Sequence, residues 1–193
     1  MGINIKRGFT LIETIVIISV IGLTLPVIFS IFFVLIQQQI KIYRMSVVKK
    51  EGDYLINIIQ NTIKDKATII LSSSTPTPPD DTNKVCISDS SSYSSSSGLY
   101  FLDKNGVWFG YLINAGSVAS NSASFTSVIN LTSSKILVNN FFISCSRANM
   151  YSPQSVSLSF DICYNSETEN CNPSRPEEIA LLHYQTKIKL RNY

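Results

Sequence analysis

Histidine is almost missing from this chain of 193 residues, which contains a single one, His183. Most catalytic metal sites and hydrolytic triads use histidine as a ligand or a base, so these classes of enzyme are disfavoured. The motifs G-x-x-x-x-G-K-S/T, G-x-G-x-x-G and G-x-S-x-G, which mark phosphate, dinucleotide and nucleophile sites, do not occur either. We therefore expect no enzyme activity, no cofactor and no metal site.

Charge is also scarce. Charged residues make up 15% of the chain, whereas about 25% is usual for a soluble domain. The net charge of +3 is too small to indicate a nucleic-acid-binding face by itself. The polar surface is instead supplied by serine and asparagine, chiefly after residue 71, which is a composition common among exported proteins. By default we expect no nucleic-acid partner.

Charge is entirely absent between Ile15 and Ile36. As an α-helix this run spans about 33 Å, enough to cross a hydrocarbon core of about 30 Å. A cleaved secretory signal is the alternative, but its apolar region has only about 7–15 residues and ends at a small-residue cleavage site. The sequence FFVLIQQQIK offers no such site. We predict a transmembrane helix over residues 9–36, after a short basic segment at residues 1–8.

Helical periodicity continues beyond the apolar run. Apolar residues recur at spacings of three and four, which indicates one face of an amphipathic helix over residues 37–71: Ile40, Tyr43, Val47, Tyr54, Leu55, Ile58, Ile59, Ile63, Ala67 and Ile70. Pro26 lacks an amide hydrogen and is expected to kink the membrane half. Gly52 is expected to weaken the second half by about 1 kcal/mol relative to alanine. The prolines within residues 72–81 are expected to end the helix.

Residues 72–193 are predicted to form a globular, β-rich domain. In GLYFLDKNGVWFGYLI, two apolar runs meet at Asn105-Gly106, which is a hairpin signal. The segments KILVNNFFISC, SVSLSFDICY and HYQTKIKL have the composition or the alternation of further strands. The low-complexity segment SDSSSYSSSSG, at residues 88–98, is expected to be a flexible surface loop. One long helix with several antiparallel strands predicts an α+β fold.

The four cysteines are Cys86, Cys145, Cys163 and Cys171. An even number in an exported domain indicates disulfide bonds, for which three pairings exist. We favour Cys163 with Cys171, because that bond closes a short polar loop, and the other two cysteines then form the second pair. Four reduced thiols buried in the core are the alternative.

The beginning of the chain combines four features. A basic leader ends KRG at Gly8, Phe9 follows, Glu13 stands at the fifth position counted from Phe9, and a long apolar helix continues without interruption. In combination, these features resemble the N-terminus of type IV prepilins and type II secretion pseudopilins. The resemblance covers residues 1–36 strongly and the remainder loosely. The segment EGDYLINIIQNTIKDKATII and the ending TKIKLRNY are similar to those of larger minor pilins and J-type pseudopilins.

The resemblance implies a pilin-like fold, in which a long N-terminal helix packs on an antiparallel β-sheet. It implies that a prepilin peptidase cleaves between Gly8 and Phe9 and methylates the new amino group of Phe9. The N-terminus is then cytoplasmic, the helix crosses the cytoplasmic (inner) membrane once, and the β domain lies outside. Basic residues alone leave this orientation ambiguous, because they occur on both sides of the apolar segment.

The implied function is that of a structural subunit of a type IV pilus or type II secretion pseudopilus, with a minor or initiating pilin favoured. The implied partners are other pilin or pseudopilin subunits, the prepilin peptidase/methyltransferase and the membrane. Gly22 stands where family members commonly have glycine. The usual family proline would fall at Ser30, so Pro26 departs from the pattern.

Glu13 has a physical role in such an assembly. An acidic residue costs about 2.5–3.5 kcal/mol at the centre of a bilayer and less near an edge. Paired with a positive group about 4 Å away, at an effective dielectric constant near 20, it gains roughly 4 kcal/mol before desolvation. The amino terminus of Phe9 from a neighbouring subunit can supply that charge. The alternative is a carboxylate that remains hydrated among lipid headgroups.

Two other functions remain open: a bitopic membrane protein with an exported binding domain, and a DNA-uptake (competence) pilin. Five aromatic residues could stack on DNA bases, although packing in the sheet is the default: Tyr100, Phe101, Trp108, Phe109 and Tyr111. Three basic residues at period two are the better candidate for a weak anionic contact, with a solvated strand face as the default: Lys187, Lys189 and Arg191.

Two further groups of side chains have residue types that occur in functional sites. Asp161, Glu167 and Glu169 could ligate calcium with loop carbonyls, but their spacing matches no standard loop, so a solvated acidic loop is favoured. His183 lies in the last alternating strand, where a hydrogen-bonded structural histidine is the expected role.

Overall fold

The computed structural model describes residues 10–72, 83–125, 127–165, 171 and 179–191. The chain divides into two compact units, Met1–Ile40 and Lys41–Tyr193. A single α-helix, α1, covers Leu11–Lys66. The strands of the described residues are β1 Ile69–Leu71, β2 Ser91–Ser95, β3 Gly98–Leu102, β4 Trp108–Asn114, β5 Ser117–Ser122, β6 Ile129–Asn130, β7 Ile136–Arg147, β8 Ser155–Tyr164 and β9 Leu181–Lys189.

The strands form two antiparallel sheets where one was predicted. Sheet A has the order β1-β3-β4-β5-β6, and sheet B has the order β2-β7-β8-β9. The Val138 amide donates to the Gly116 carbonyl at 2.7 Å and so connects β7 to the turn before β5. A long helix with antiparallel sheets confirms the α+β class.

The predicted hairpin is present. Strands β3 and β4 pair with Phe101 opposite Phe109, and Asp103 and Gly106 close the turn through a 3.1 Å backbone hydrogen bond. Gly106 has φ 74°, a left-handed conformation that glycine adopts without steric cost. The predicted strands SVSLSFDICY and HYQTKIKL become β8 and β9. In β8 the predicted face of Val156, Leu158, Phe160 and Ile162 is buried.

Helix α1 ends at Lys66, five residues before the predicted end of the amphipathic segment at residue 71. After Ala67 come Thr68, Ile69 and Ile70, whose β-branched side chains favour a strand. The amide and the hydroxyl of Thr68 both donate to the Leu102 carbonyl, at 2.8 and 2.9 Å. Strand β1 therefore replaces the last turn of the predicted helix. The prolines expected to stop the helix lie outside the described residues.

The buried stripe of α1 confirms the prediction in part, because Leu55, Ile59 and Ile63 are buried as expected. It consists of Val48, Gly52, Leu55, Ile59 and Ile63, at the spacings of a helix face. Of the residues predicted for the stripe, Tyr43 and Tyr54 are exposed. The stripe joins residues from both sheets in one hydrophobic core.

Gly52 is a residue of the buried stripe that the apolar pattern did not include. A Cβ built on Gly52 would lie 2.3 Å from Cε2 of Tyr184, a residue of β9. The tyrosine ring therefore occupies the space that any larger side chain would need. The sequence predicts that Gly52 weakens the helix. In the structure Gly52 also has a packing role, because its missing side chain leaves room for Tyr184 of strand β9. At Gly22, the other glycine of α1, no atom lies near the Cβ position.

The serine-rich segment 88–98 is not a loop throughout, which corrects the prediction. Ser91–Ser95 forms β2 and pairs with β7, with Tyr93 opposite Cys145. Tyr93 packs against the core, and the exposed Ser92 and Ser94 alternate with it. Because serine is a poor strand former by itself, this strand is stabilised by its partner and not by its composition.

Candidate functional site

The candidate site is the apolar half of helix α1. Every residue from Thr10 to Ile36 is exposed. Helix α1 is long and apolar enough to cross a membrane, and none of its most apolar 18-residue window is buried. A water-soluble surface rarely carries a contiguous apolar patch of this extent. The segment therefore suits a membrane anchor.

Four hydroxyl side chains of this half form hydrogen bonds within the helix. The hydroxyls of Thr14, Ser19 and Ser30 each donate at 2.8 Å to a backbone carbonyl three residues earlier. Thr24 donates to the Val20 carbonyl at 3.0 Å. None of these four hydroxyls needs water, so all of them suit a hydrocarbon environment.

Pro26 lies inside helix α1. Because proline has no amide hydrogen, position 26 donates no helical hydrogen bond to the Gly22 carbonyl four residues earlier. Gly22 has no heavy atom within 4 Å of the position a Cβ would take. The expected kink at Pro26 remains a prediction.

Glu13 lies in the first turn of helix α1. Among the described residues its carboxylate makes no hydrogen bond or ion pair. The positive end of the helix dipole favours an acidic side chain in this turn. The carboxylate is thus compatible with the helix and still available to a partner outside the chain.

Thr10 is a residue that the sequence prediction missed. Its carbonyl accepts hydrogen bonds from the amides of Glu13 and Thr14, at 3.1 and 3.2 Å, and so begins the helix. The sequence TLIE has the capping-box pattern S/T-x-x-E, which was the available signal. The reciprocal side-chain bonds of a capping box are not among the hydrogen bonds of the described residues, so the carboxylate of Glu13 is not used in this way.

Gly8 and Phe9, the predicted cleavage and methylation positions, lie outside the described residues.

The structure pairs Cys86 with Cys145 and Cys163 with Cys171, at Cα–Cα distances of 6.2 and 5.5 Å. These are the pairs that the sequence argument favours. The first bond links the segment before β2 to strand β7. The second links Cys163, in strand β8, to Cys171, which follows that strand. Disulfide bonds persist in oxidising compartments, so they support an extracytoplasmic location for the second unit.

The aromatic residues of the β3–β4 hairpin are mostly packed. Tyr100, Phe101 and Tyr111 are buried, and the Phe101 and Phe109 rings stack with centroids 5.4 Å apart. The pKa of the Tyr111 hydroxyl is raised by burial, against a smaller opposing effect of its hydrogen bond with Thr62 on helix α1. Phe101, Phe109 and Tyr111 belong to the core, whereas the half-buried Trp108 packs edge-on against Tyr100 with ring centroids 6.0 Å apart. All five rings are thus packed in or on the sheet, which is the default that the sequence indicates.

The basic residues near the C-terminus are exposed in the last strand. Lys187 and Lys189 lie on the exposed face of β9. After the strand, Nη2 of Arg191 lies 4.0 Å from Oδ1 of Asp65 on helix α1. A cleft of about 550 Å³ is lined in part by Arg191 and Arg147. The Arg147 guanidinium already donates to four backbone carbonyls: Ile87, Asn149, Met150 and Ser152. Arg147 thus fixes the adjoining loops.

His183 is a hydrogen-bonded surface residue, as predicted. Its Nδ1 lies 2.6 Å from Asp161 Oδ1, and the Asn140 amide donates to Asp161 Oδ2 at 2.6 Å. These hydrogen bonds, with Asn140 the stronger influence, lower the pKa of Asp161. Both carboxylate oxygens are engaged, and no group of three or more potential metal-ligating side chains occurs in the described part of the chain. Glu167 and Glu169 lie outside it.

Comparison with known proteins gave no match: no family model, no curated protein and no solved structure is significantly similar to this chain.

Proposed function

We propose that this chain is a structural subunit of a type IV pilus or a type II secretion pseudopilus. A prepilin peptidase processes it, and it assembles through its N-terminal helix. The observation that carries the proposal is the division of helix α1 into a fully exposed apolar half, with Glu13 in its first turn, and a half whose stripe is buried in the α+β domain.

The exposed half can exchange one apolar environment for another. In the membrane, lipid chains surround it, and in a fibre, the same half of neighbouring subunits surrounds it. Its hydroxyls donate within the helix and need no change on transfer. Glu13 distinguishes the two environments, because a fibre can supply the positive amino terminus of an adjacent subunit at the same depth.

The second unit supplies the exported part of such a subunit. Its two disulfide bonds fit an oxidising compartment. The long helix packed on antiparallel strands supports a pilin-like fold, and the resemblance of the N-terminal motif gives the orientation with the N-terminus inside.

The decisive experiment is mass spectrometry of the N-terminus of the mature protein purified from membranes and sheared filaments. We expect the protein to begin at Phe9 with a methyl group on its amino nitrogen. An intact Met1, or an unmethylated Phe9, would contradict the proposal and favour the bitopic membrane protein instead.

Gly8→Val should block processing, because the peptidase must accept a small residue before the cut. The matched control is Gly2→Val, which makes the same change elsewhere in the leader and should leave processing intact. Mature-length protein from the Gly8→Val variant would count against cleavage at this site.

A minor or initiating role is the favoured form of the proposal. It rests on the similarity of residues 51–70 and of the C-terminal strand to larger minor pilins. Immunogold labelling should find the protein rarely, or at filament ends. Even labelling along every filament, as the dominant protein, would contradict the minor role and leave the pilin assignment in place.

A further inference from the structure

Asn130, Leu131 and Thr132 form an N-x-T triplet, the acceptor pattern for N-linked glycans. It is the one N-x-S/T triplet of the sequence without proline in the middle, since Asn172 is followed by Pro173. A triplet this short arises by chance, so the motif alone carries little weight. The surroundings of its two polar side chains carry the inference.

Asn130 lies at an accessible edge. It ends strand β6, the edge strand of sheet A, and it is exposed. Its carboxamide Oδ1 accepts a hydrogen bond from Asn114 at 3.3 Å. Its Nδ2, the atom to which a glycan is attached, donates no hydrogen bond to any described residue. The side chain is thus oriented through its oxygen, and the nitrogen remains available.

Thr132 has the opposite surroundings. It is only 7% exposed, and its hydroxyl has no hydrogen-bond partner in the part of the chain that the structure describes. A buried hydroxyl without a partner costs about 1–3 kcal/mol. Valine has almost the same shape without this cost, so the described residues give no structural reason for a hydroxyl here. Recognition of the triplet requires one.

A cleft of about 450 Å³ lies beside Asn130. Its other walls include Lys50, Glu51 and Tyr54 from helix α1 and Ser133 from the loop after β6. The Tyr54 side chain is 53% exposed, although the helical pattern places Tyr54 on the apolar face that is expected to be buried. An exposed aromatic ring next to charged and hydroxyl groups offers a sugar an apolar face and several hydrogen-bond partners.

We propose that Asn130 is a site of N-linked glycosylation, and that the first sugar of the glycan occupies the cleft beside Tyr54. The donor class is a lipid-linked oligosaccharide with a phosphate or diphosphate at the anomeric carbon. A new bond joins Asn130 Nδ2 to that carbon while the anomeric C–O bond breaks. The amide nitrogen loses one proton to solvent, and the departing phosphate oxygen keeps the electron pair of the broken C–O bond.

The burial of Thr132 sets the order of events. A transferase must reach the threonine hydroxyl as well as the asparagine, and in the folded domain the hydroxyl is enclosed. Transfer therefore precedes closure of the chain around Thr132, during export. This proposal requires only that the domain is exported, so it stands or fails separately from the pilus proposal.

The test is mass spectrometry of the full-length protein isolated from the membranes of the cells that make it. We expect the peptide containing Asn130 to carry an oligosaccharide, and enzymatic release of the glycan in heavy-oxygen water to leave labelled aspartate at position 130. Asn172, in its N-P-S triplet, should be unmodified. An unmodified Asn130 in the native protein would overturn the proposal.

Two substitutions at Thr132 separate recognition from folding. Thr132→Val should abolish the modification almost completely while raising the midpoint of denaturation, because it removes an unpartnered buried hydroxyl. Thr132→Ser retains the hydroxyl and should retain the glycan. Asn130→Gln should remove the glycan without affecting Thr132. A glycan that persists on Asn130 in the Thr132→Val variant would show that the triplet is not what the transferase recognises.

Discussion

The two halves of helix α1 are both rich in isoleucine, leucine and valine, but they use these residues differently. From Thr10 to Ile36 the apolar side chains face outward in every direction. From Val48 to Ile63 a single stripe is buried, and the other faces carry charged and amide side chains together with the exposed Tyr54 and the half-buried Ile56 and Ile58. The difference indicates that the environment of the first half is supplied from outside the chain, whereas the second half has its partners within it.

The first expected effect is on filament assembly, and it concerns the half of the helix that is exposed among the described residues. Glu13→Val should insert into the membrane at least as well as the natural chain, because it removes a carboxylate from lipid. Incorporation into filaments should fall by at least about tenfold, since a net loss of 1.4 kcal/mol from subunit pairing is sufficient. Immunoblots of the membrane and sheared-filament fractions measure both quantities.

The control for this change is Ile17→Val, which keeps an apolar side chain on the same half of the helix and should assemble normally. Normal incorporation of the Glu13→Val variant would remove the pairing argument and weaken the contrast between the two halves.

A leucine-to-alanine substitution in each half of helix α1 should show how much each half contributes to the stability of the fold. Leu55→Ala removes a fully buried side chain and should lower the free energy of unfolding of the second unit by about 2–5 kcal/mol. Leu23→Ala changes an exposed side chain and should alter it by less than about 0.5 kcal/mol. Denaturant titration of the full chain in detergent micelles compares them, and equal losses would contradict the comparison.

The two glycines of the helix provide a matched pair. Glycine to alanine in a helix usually stabilises by up to about 1 kcal/mol, and Gly22→Ala should do so, because nothing lies near its new Cβ. Gly52→Ala should instead destabilise the domain, because its Cβ would meet the ring of Tyr184. Thermal unfolding of both variants in micelles measures the difference.

A smaller side chain at position 184 should relieve the clash, so the Gly52→Ala, Tyr184→Leu double variant should lose less stability than the two single changes added together. Simple additivity would indicate that the ring does not determine the need for glycine.

The smallest expected effect is the pH dependence of the contact between β9 and the helix. The Tyr184 hydroxyl lies 2.9 Å from Asp53 Oδ1 and 3.1 Å from the Lys49 carbonyl. Burial first, and then the hydrogen bond and negative charge of Asp53, raise its pKa to about 12 from 10.0. The folded state therefore holds this proton more tightly than the unfolded state does.

The stabilisation from this proton should be complete below pH 10 and should be lost as the pH rises through about 12. Tyr184→Phe should flatten the decline in unfolding free energy over that range. An identical decline in the natural chain and in the Tyr184→Phe variant would assign the alkaline sensitivity to other groups.

The sequence was most informative where a local pattern coincides with a packed face. Strand β8 alternates Val156, Leu158 and Phe160 toward the core, and the Asn105-Gly106 turn follows from glycine geometry, so both were predicted. The apolar half of the helix could also be predicted, because a run of this length without a charged residue is typical of a transmembrane helix.

The missed features depend on contacts between distant residues. The burial of Gly52 depends on Tyr184, whose ring lies where a Cβ at position 52 would be and which is distant from Gly52 in sequence. Strand β2 is stabilised by pairing with β7, and the helix ends early because Thr68 bonds to Leu102. The Thr10 signal was local and was overlooked. Gly8 and Phe9 lie outside the described residues, so the processing site remains a prediction from the motif.

The Cys86–Cys145 bond has a mechanical consequence. Its two ends are 59 positions apart in sequence, and that length of chain, fully extended, would measure about 200 Å. A load pulling on helix α1 from one end of the domain can strip strands from the sheets, but it cannot draw out this covalently closed segment. The bond therefore limits how far the domain can lengthen under tension, whatever the strength of its non-covalent core.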